Sequence, residues 1–380
     1  MSIDLSGGSN NENVRAPLEF SKFLTGFLAL CERCKGQLMS PSLRRYIFVR
    51  IILTIPMILI LISIVFFVMR ILPGDPALAV LRDGASDEQI ETFREAMGLN
   101  KPLGEQYLDF VSGVIRFDFG VSMARPIPVI DEIKTFLPAT IELAFFSMFV
   151  ITSVGVLSGA YAAQHRKSAS DYTIRISGIV LYSIPIFWLG LMFQMLFGAK
   201  LGWLPVSGRL SPGMTPDFRI TGLYTVDAII KQDWPLLKDA LRHLVLPSLT
   251  LGLIIAGFFT RLTRANMLDV LESDYITAGR ARGLKERVLV YKHGLHNAAI
   301  PIVTLLGLQF AILLAGAILT ETTFSWPGLG RLVVDRIFDR DFTVVQGSIL
   351  FFAVMVSAAS LLVDIIYGFL VRGRRGGTGY

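Results

Sequence analysis

The chain has 380 residues, of which 53% are hydrophobic and only 17% charged, and its mean hydropathy is +0.58. Soluble domains carry about a quarter charged residues, so a water-soluble globule is excluded and a polytopic membrane protein is indicated. The net charge of +6 reads as membrane topology and attraction to anionic lipid rather than as a nucleic-acid footprint.

Residues 1–43 form an N-terminal extension. Its first 16 residues are polar, whereas Phe20, Phe23, Leu24, Phe27, Leu28 and Cys31 recur at helical spacing and predict an amphipathic surface helix. Lys22 before a short apolar run raises a signal peptide as the alternative, but no small-residue cleavage site follows. Cys31 and Cys34 make a lone C-x-x-C, read as two ordinary thiols.

Six windows are then long enough to cross about 30 Å of hydrocarbon as helices of about 20 residues, near 46–69, 137–163, 176–199, 244–262, 299–320 and 345–371. Backbone groups in hydrocarbon must bond internally, and the alternation of a lipid-facing barrel is missing, so the fold class is all-α. Pro56, Pro185, Pro247 and Pro301 fall in these windows as kinks that neighbouring helices can repair.

Orientation follows from the short cationic loops. Arg44 and Arg45, Arg166 and Lys167, the segment after span four, and Arg372, Arg374 and Arg375 fall on one side, which places both termini in the cytoplasm. The chain thereby divides into 1–43, a first transmembrane helix at 44–70, an extracytoplasmic region at 71–135, a five-helix core at 136–371 with a cytoplasmic loop at 263–298, and a tail at 372–380. Within 71–135, Ser86 with Gln89 three residues on makes a capping box for a short helix. Ile90, Phe93 and Met97 share one face of that helix, and Gly98 stops it.

Catalytic patterns are missing: no G-x-x-x-x-G-K-[ST], H-E-x-x-H or G-x-S-x-G occurs. His293 and His296 lie about one turn apart but lack a third ligand, so they read as a polar face rather than a metal site. Few ionisable groups lie in the spans, where each costs about 2.5–3.5 kcal/mol on insertion scales. Glu142 and Glu321 sit near outer ends, Asp364 in the inner half of span six, and Gln194 and Gln309 add uncharged polar groups as structural or pathway candidates. This set is too sparse for a proton relay, which assigns the energy source to another chain.

The remaining anomaly is "DYITAGRARGLKERVLVYKHGLHNAAIP" at 274–301, which places Arg280, Arg282, Lys285, Arg287 and Lys292 between two apolar stretches. It resembles the cytoplasmic loop signature of binding-protein-dependent ABC importer permeases, in the branch that carries dipeptides, oligopeptides and nickel. "ILPGDPA" at 71–77, "FDFGVSMARPIPVIDEI" at 117–133, "LPATIELA" at 137–144, "SIPIFWLGL" at 183–191, "LGWLPVSG" at 201–208 and "WPGLGRLV" at 326–333 are similar to the same branch, so the resemblance runs from 44 to 371. Thr277 stands where the general signature has glutamate, and the tail "VRGRRGGTGY" lacks the family's usual Asp-Pro-Arg ending.

The resemblance implies the six-helix type I importer fold in the bacterial inner membrane. The partners it implies are a homologous second permease, two cytoplasmic ATPases holding ATP and magnesium, and an extracytoplasmic peptide-binding protein. This chain would itself have no cofactor and no enzymatic activity. The coupling residues carried over are Ala278, Gly279, Ala281, Gly283, Leu284, Asn297, Ala298 and Pro301. Ala278, Gly279 and Ala281 are expected to form a low-profile docking surface, and Gly283 to end the helix at positive φ. Short peptides are the expected cargo, with nickel or another small solute as the alternative within transport, and a membrane scaffold or membrane-embedded enzyme as the alternative outside it.

Overall fold

The computed structural model describes residues 41–71, 86–96, 98, 100–216 and 218–375. The amphipathic extension, Cys31, Cys34 and nearly all of the 71–77 motif lie outside them. Two compact units divide these residues, one of 54–367 and one of 41–53 with 368–375. Among the described residues all regular structure is helical, apart from one isolated bridge between Val121 and Pro128.

Helix α1 runs Pro41–Ile71, α2 Asp87–Ala96, α3 Leu103–Ile115 and α4 Val129–Val150. A π-helical turn, Ile151–Val156, joins α4 to α5, Leu157–Gln164. Next come α6 (Ala169–Ser183), α7 (Ile186–Phe193) with a second π turn (Gln194–Lys200), α8 (Tyr224–Lys231) and α9 (Trp234–Leu271). After α10 (Asp274–Ala281) and the short α11 (Glu286–Val288), a third π turn (Leu289–Gly294) leads into α12 (Leu295–Leu314). The chain closes with α13 (Ile318–Thr323), α14 (Leu329–Phe338) and α15 (Phe342–Arg375).

Among the described residues, five helical stretches are long and apolar enough to cross a membrane: Ile51–Val68, Val129–Gln164, Trp234–Leu271, Glu286–Leu314 and Phe342–Ile365. The third expected span, 176–199, is not one straight helix. Its two halves, α6 and α7 with its π turn, meet at 101°. Pro185 disfavours helical backbone at the residue before it, and Ile184 is extended at φ −79°, ψ 131°. If this pair counts as one broken span, the total is six. The fifth expected span, 299–320, is displaced toward the N-terminus: the helix begins at Glu286, ends at Leu314, and turns at Gly316, φ +105°. Pro56, Pro247 and Pro301 stay inside continuous helices.

The most buried span is α9, which touches α4 to α8 and α12. Its surface admits close neighbours because small residues face each other. A Cβ on Gly257 would collide with the backbone carbonyl of Gly178 on α6, and one on Gly159 of α5 would lie 2.6 Å from the Thr260 carbonyl of α9. Around it, Leu143, Ala144, Ile151, Leu244, Leu251, Phe259 and Trp326 form one core cluster. The expected capping box at α2 is formed: Ser86 N donates to Gln89 Oε1 at 3.0 Å and Gln89 N to Ser86 Oγ at 3.3 Å, with Gly98 at φ +65°.

Candidate functional site

The basic stretch that stood out in the sequence folds as a short helix closed on itself. In α10, Asp274 occupies the first turn, where a carboxylate complements the helix dipole. The C-terminus is a Schellman closure. Leu284 N donates to the Gly279 carbonyl at 3.2 Å, Gly283 N donates to the Arg280 carbonyl at 2.9 Å, and Gly283 sits at φ +77°. A Cβ on Gly283 would meet nothing within 4 Å, so its requirement is purely one of backbone conformation.

The two faces of α10 differ. Ile276 is fully buried in a cluster with Val156, Ala160, Met267, Leu271, Leu289, Val290, Ala298 and Ile302, which belong to α5, α9, α12 and the π turns. Gly279, expected on the outer surface, instead faces inward: its Cβ would lie 2.6 Å from Leu289 Cδ2. It lets α10 approach the third π turn, while Ala278 and Ala281 remain exposed beside Leu284. Asn297 Nδ2 donates to Tyr275 Oη at 2.5 Å and ties α12 to α10. Ala298 is buried, and Pro301 is exposed on α12.

Arg280 forms a bidentate pair with Glu286, at 2.7 and 3.1 Å, across the Gly283 turn. Those hydrogen bonds hold the Arg280 pKa above its ordinary value despite partial burial. Behind α10, Arg264 of α9 grips the buried Asp171 of α6 with two bonds of 2.6 and 2.8 Å, and Arg166 pairs with Glu272. Displacement of α10 therefore meets a rigid body of packed helices rather than a loose connector.

A second polar constellation surrounds the middle of α4. Arg209 donates to Glu142 Oε2 at 2.7 and 3.0 Å and to the Gly222 carbonyl at 2.8 Å, with its guanidinium 3.8 Å from the Tyr224 ring centroid. Thr225 donates to Glu142 Oε1 through both its N–H (2.8 Å) and its hydroxyl (2.6 Å). Asp227 organises the turn that presents Gly222, accepting from Ile220 N, Thr221 N, Thr221 Oγ1 and Gly222 N. Burial raises its pKa, but these hydrogen bonds outweigh it and leave the carboxyl below its ordinary value.

Glu321, the second acid expected near an outer span end, lies on α13. It accepts from Thr140 Oγ1 at 2.8 Å and Arg331 N at 3.0 Å, with Gly328 against its carboxylate. Glu142 on α4 and Glu321 on α13, the latter bonded to Thr140 of α4, are thus both buried within the folded core. Gln194 makes the structural contacts expected of one of its two readings: its amide donates to the Val206 and Thr323 carbonyls, at 2.7 and 3.0 Å, stapling two segments together. Gln309 and Asp364 are half-buried on α12 and α15. Sequence reasoning missed Arg209, Thr225, Asp171 and Arg264. It also missed Arg336, which pairs with Glu132 at 2.9 Å, and Asp341, which accepts from Ser122.

The geometry is that of a polytopic membrane protein whose helical core carries a self-closed helix with one exposed face, and comparison with known proteins gives the class. Residues 155–376 match the family of binding-protein-dependent transport system inner membrane components, and 43–144 match that family's N-terminal region. The chain belongs to this family, in the peptide branch of ABC importer permeases, and is a multi-pass inner-membrane protein. It is 40% identical to a dipeptide transport system permease of Alkalihalophilus pseudofirmus over 84% of this chain and 96% of that one. Identity to a di/tripeptide permease of Pseudomonas aeruginosa is 41%, covering 80% and 90% of the two chains. A glutathione permease of Escherichia coli is 38% identical, with coverage of 85% and 96%.

Proposed function

We propose that this chain is the transmembrane subunit of an ATP-driven importer of short peptides. It forms the translocation pathway with a second, homologous permease, receives peptide from an extracytoplasmic binding protein, and docks one of the two cytoplasmic ATPases of the assembly through α10. The carrying observation is the two-faced build of α10: Ala278, Ala281 and Leu284 are exposed, while Ile276 and Gly279 are buried against the elements that lead into three spans. A partner seated on the outer face moves α9 through Met267 and Leu271, and α12 through Ala298 and Ile302, because close-packed side chains transmit strain. ATP and magnesium belong to the partner subunits, which supply the hydrolysis. The cargo reading rests on the relatives, whose names specify dipeptides, di/tripeptides and glutathione.

The orientation with both termini cytoplasmic belongs to the same reading. Ser211, held by Asp239 through two bonds of 2.7 Å, is a poor labelling position, whereas Ser86 and Arg282 are exposed. In spheroplasts, an impermeant thiol reagent should label Ser86→Cys and spare Arg282→Cys. Function is tested by uptake in a strain lacking the chain. Loss of labelled dipeptide uptake with nickel uptake intact supports the reading, and the opposite pattern overturns the peptide assignment.

A further inference from the structure

Helix α3, in the segment between the first two spans, has three distinct sides. At about 100° per residue, Gln106, Tyr107, Phe110 and Val114 share one side, which packs on α1. Tyr107 Oη lies 2.7 Å from Ser63 Oγ, the Phe66 ring is 5.4 Å from Tyr107 and 5.5 Å from Phe110, and Val114 joins Ile62 and Val65 in a buried cluster. Gly104, Leu108, Val111 and Ile115 share the next side. Leu108 and Ile115 there are 67% and 72% exposed in the isolated chain. Glu105, Asp109 and Ser112 form the third side, all exposed, with Lys101 paired to Asp109 at 2.7 Å.

An apolar side bordered by a polar one is the pattern of a helix lying in a membrane interface. What decides the occupant is where α3 is docked. Its partners Ile62, Ser63, Val65, Phe66 and Phe67 all belong to Ile51–Val68, the most apolar span window of the chain. The flank of that window left uncovered in the single chain, with Ile60, Ile64, Phe67 and Val68 between 49% and 61% exposed, is apolar surface on a helix long and apolar enough to cross a membrane. Phe67 carries that surface onto α3, because its ring stacks on Tyr107 at 6.1 Å. The apolar side of α3 thus continues the lipid-facing surface of α1.

We infer that α3 is seated in the membrane interface at this end of the protein, with Leu108 and Ile115 inserted among lipid acyl chains and Glu105 and Ser112 turned to water and headgroups. Helix α3 is then a membrane-anchored element rather than part of a water-borne cap. Such helices bury their apolar face about 5–10 Å into the headgroup and acyl boundary, which matches a helix beside the last turns of a span window.

Site-directed spin labelling tests this in the full chain, purified with its co-purifying subunits and reconstituted into phosphatidylcholine and phosphatidylglycerol vesicles. In a Cys31→Ser, Cys34→Ser background, labels are placed at Leu108→Cys, Ile115→Cys, Glu105→Cys and Ser112→Cys. Collision with oxygen, which partitions into lipid, is compared with collision with a water-soluble nickel chelate. The expected result is a reversal of sign: oxygen exceeds nickel at 108 and 115, and nickel exceeds oxygen at 105 and 112. Nickel dominance at all four positions would overturn the inference in favour of water. Low access to both reagents at 108 and 115 would overturn it in favour of a protein subunit covering that side. Retained peptide uptake in each labelled variant reports that the fold is intact.

Discussion

Gly283→Val isolates the mechanical role of α10, because the substitution adds backbone strain and nothing else. The residue sits at φ +77° with open space around its missing Cβ, so no neighbour is struck. A β-branched residue in the left-handed region costs about 1–2 kcal/mol. That corresponds to roughly a five- to thirtyfold shift away from the Schellman-closed geometry. Gly283→Ala should fall at the low end. The assay is ATP-driven uptake of labelled dipeptide into proteoliposomes, read beside retention of the co-purifying ATPases and the amount of chain inserted. Uptake and retention should fall together while insertion stays near normal. Gly202→Val is the matched control, since Gly202 is also left-handed, φ +64°, with nothing within 4 Å, but belongs to the 201–208 segment far along the chain from α10. It should leave ATPase retention unchanged. If Gly283→Val retained its ATPases and transported at the normal rate, the closed end of α10 would have no part in coupling.

Other substitutions test neighbouring features. Gly279→Val should lift α10 off the third π turn, where a Cβ comes within 2.6 Å of Leu289, and Leu289→Ala in the same chain should partly restore uptake. Gly252→Ala should lower the amount of folded chain rather than coupling, because its Cβ would lie 2.5 Å from Val150 Cβ. Arg209→Met leaves Glu142 buried without its cation and should cost about 3–5 kcal/mol, read as a lower melting temperature in detergent. Adding Glu142→Leu should recover part of that loss. For Asp227 the folded carboxyl titrates below its ordinary value, so its contribution is complete above the ordinary carboxylate range near about pH 4 and is lost as pH falls through the depressed value. Pepsin cleavage within 212–222, normalised to cleavage of an unstructured peptide of the same sequence, should therefore rise only below that range in the native chain, and should be raised at every pH in Asp227→Asn, which has no carboxyl to titrate. A rise beginning well above pH 4 in the native chain would contradict the hydrogen-bond assignment.

The apolar windows were legible because hydrocarbon imposes length and composition directly, and Gly283 was legible because a helix end that closes at positive φ favours glycine. The direction of Gly279 was harder, since small residues suit an outer docking face and an inner close approach equally. Its spacing of three from Ile276 was the available clue: both belong to one side of a short helix. The bend at Pro185 escaped a window average that sees only hydropathy, and Gly316 ended α12 six residues before the expected limit of span five. Buried ion pairs escaped altogether, because Glu142 and Arg209 are 67 residues apart and nothing local marks one as the other's counter-ion.

That separation has a consequence for the growing chain. Glu142 lies well inside α4 and leaves the ribosome before Arg209, Gly222 and Thr225 exist. At about 5–20 residues per second, the 67 residues take several seconds to synthesise, and during that time the carboxyl is embedded in an apolar helix without its cation. A nascent chain arrested before residue 209 must keep α4 at the membrane surface or beside a polar insertion channel, where water or polar groups stand in for the missing guanidinium. Final seating of the second span is thereby tied to delivery of the loop that follows the third, so the order of translation and the order of assembly cannot coincide.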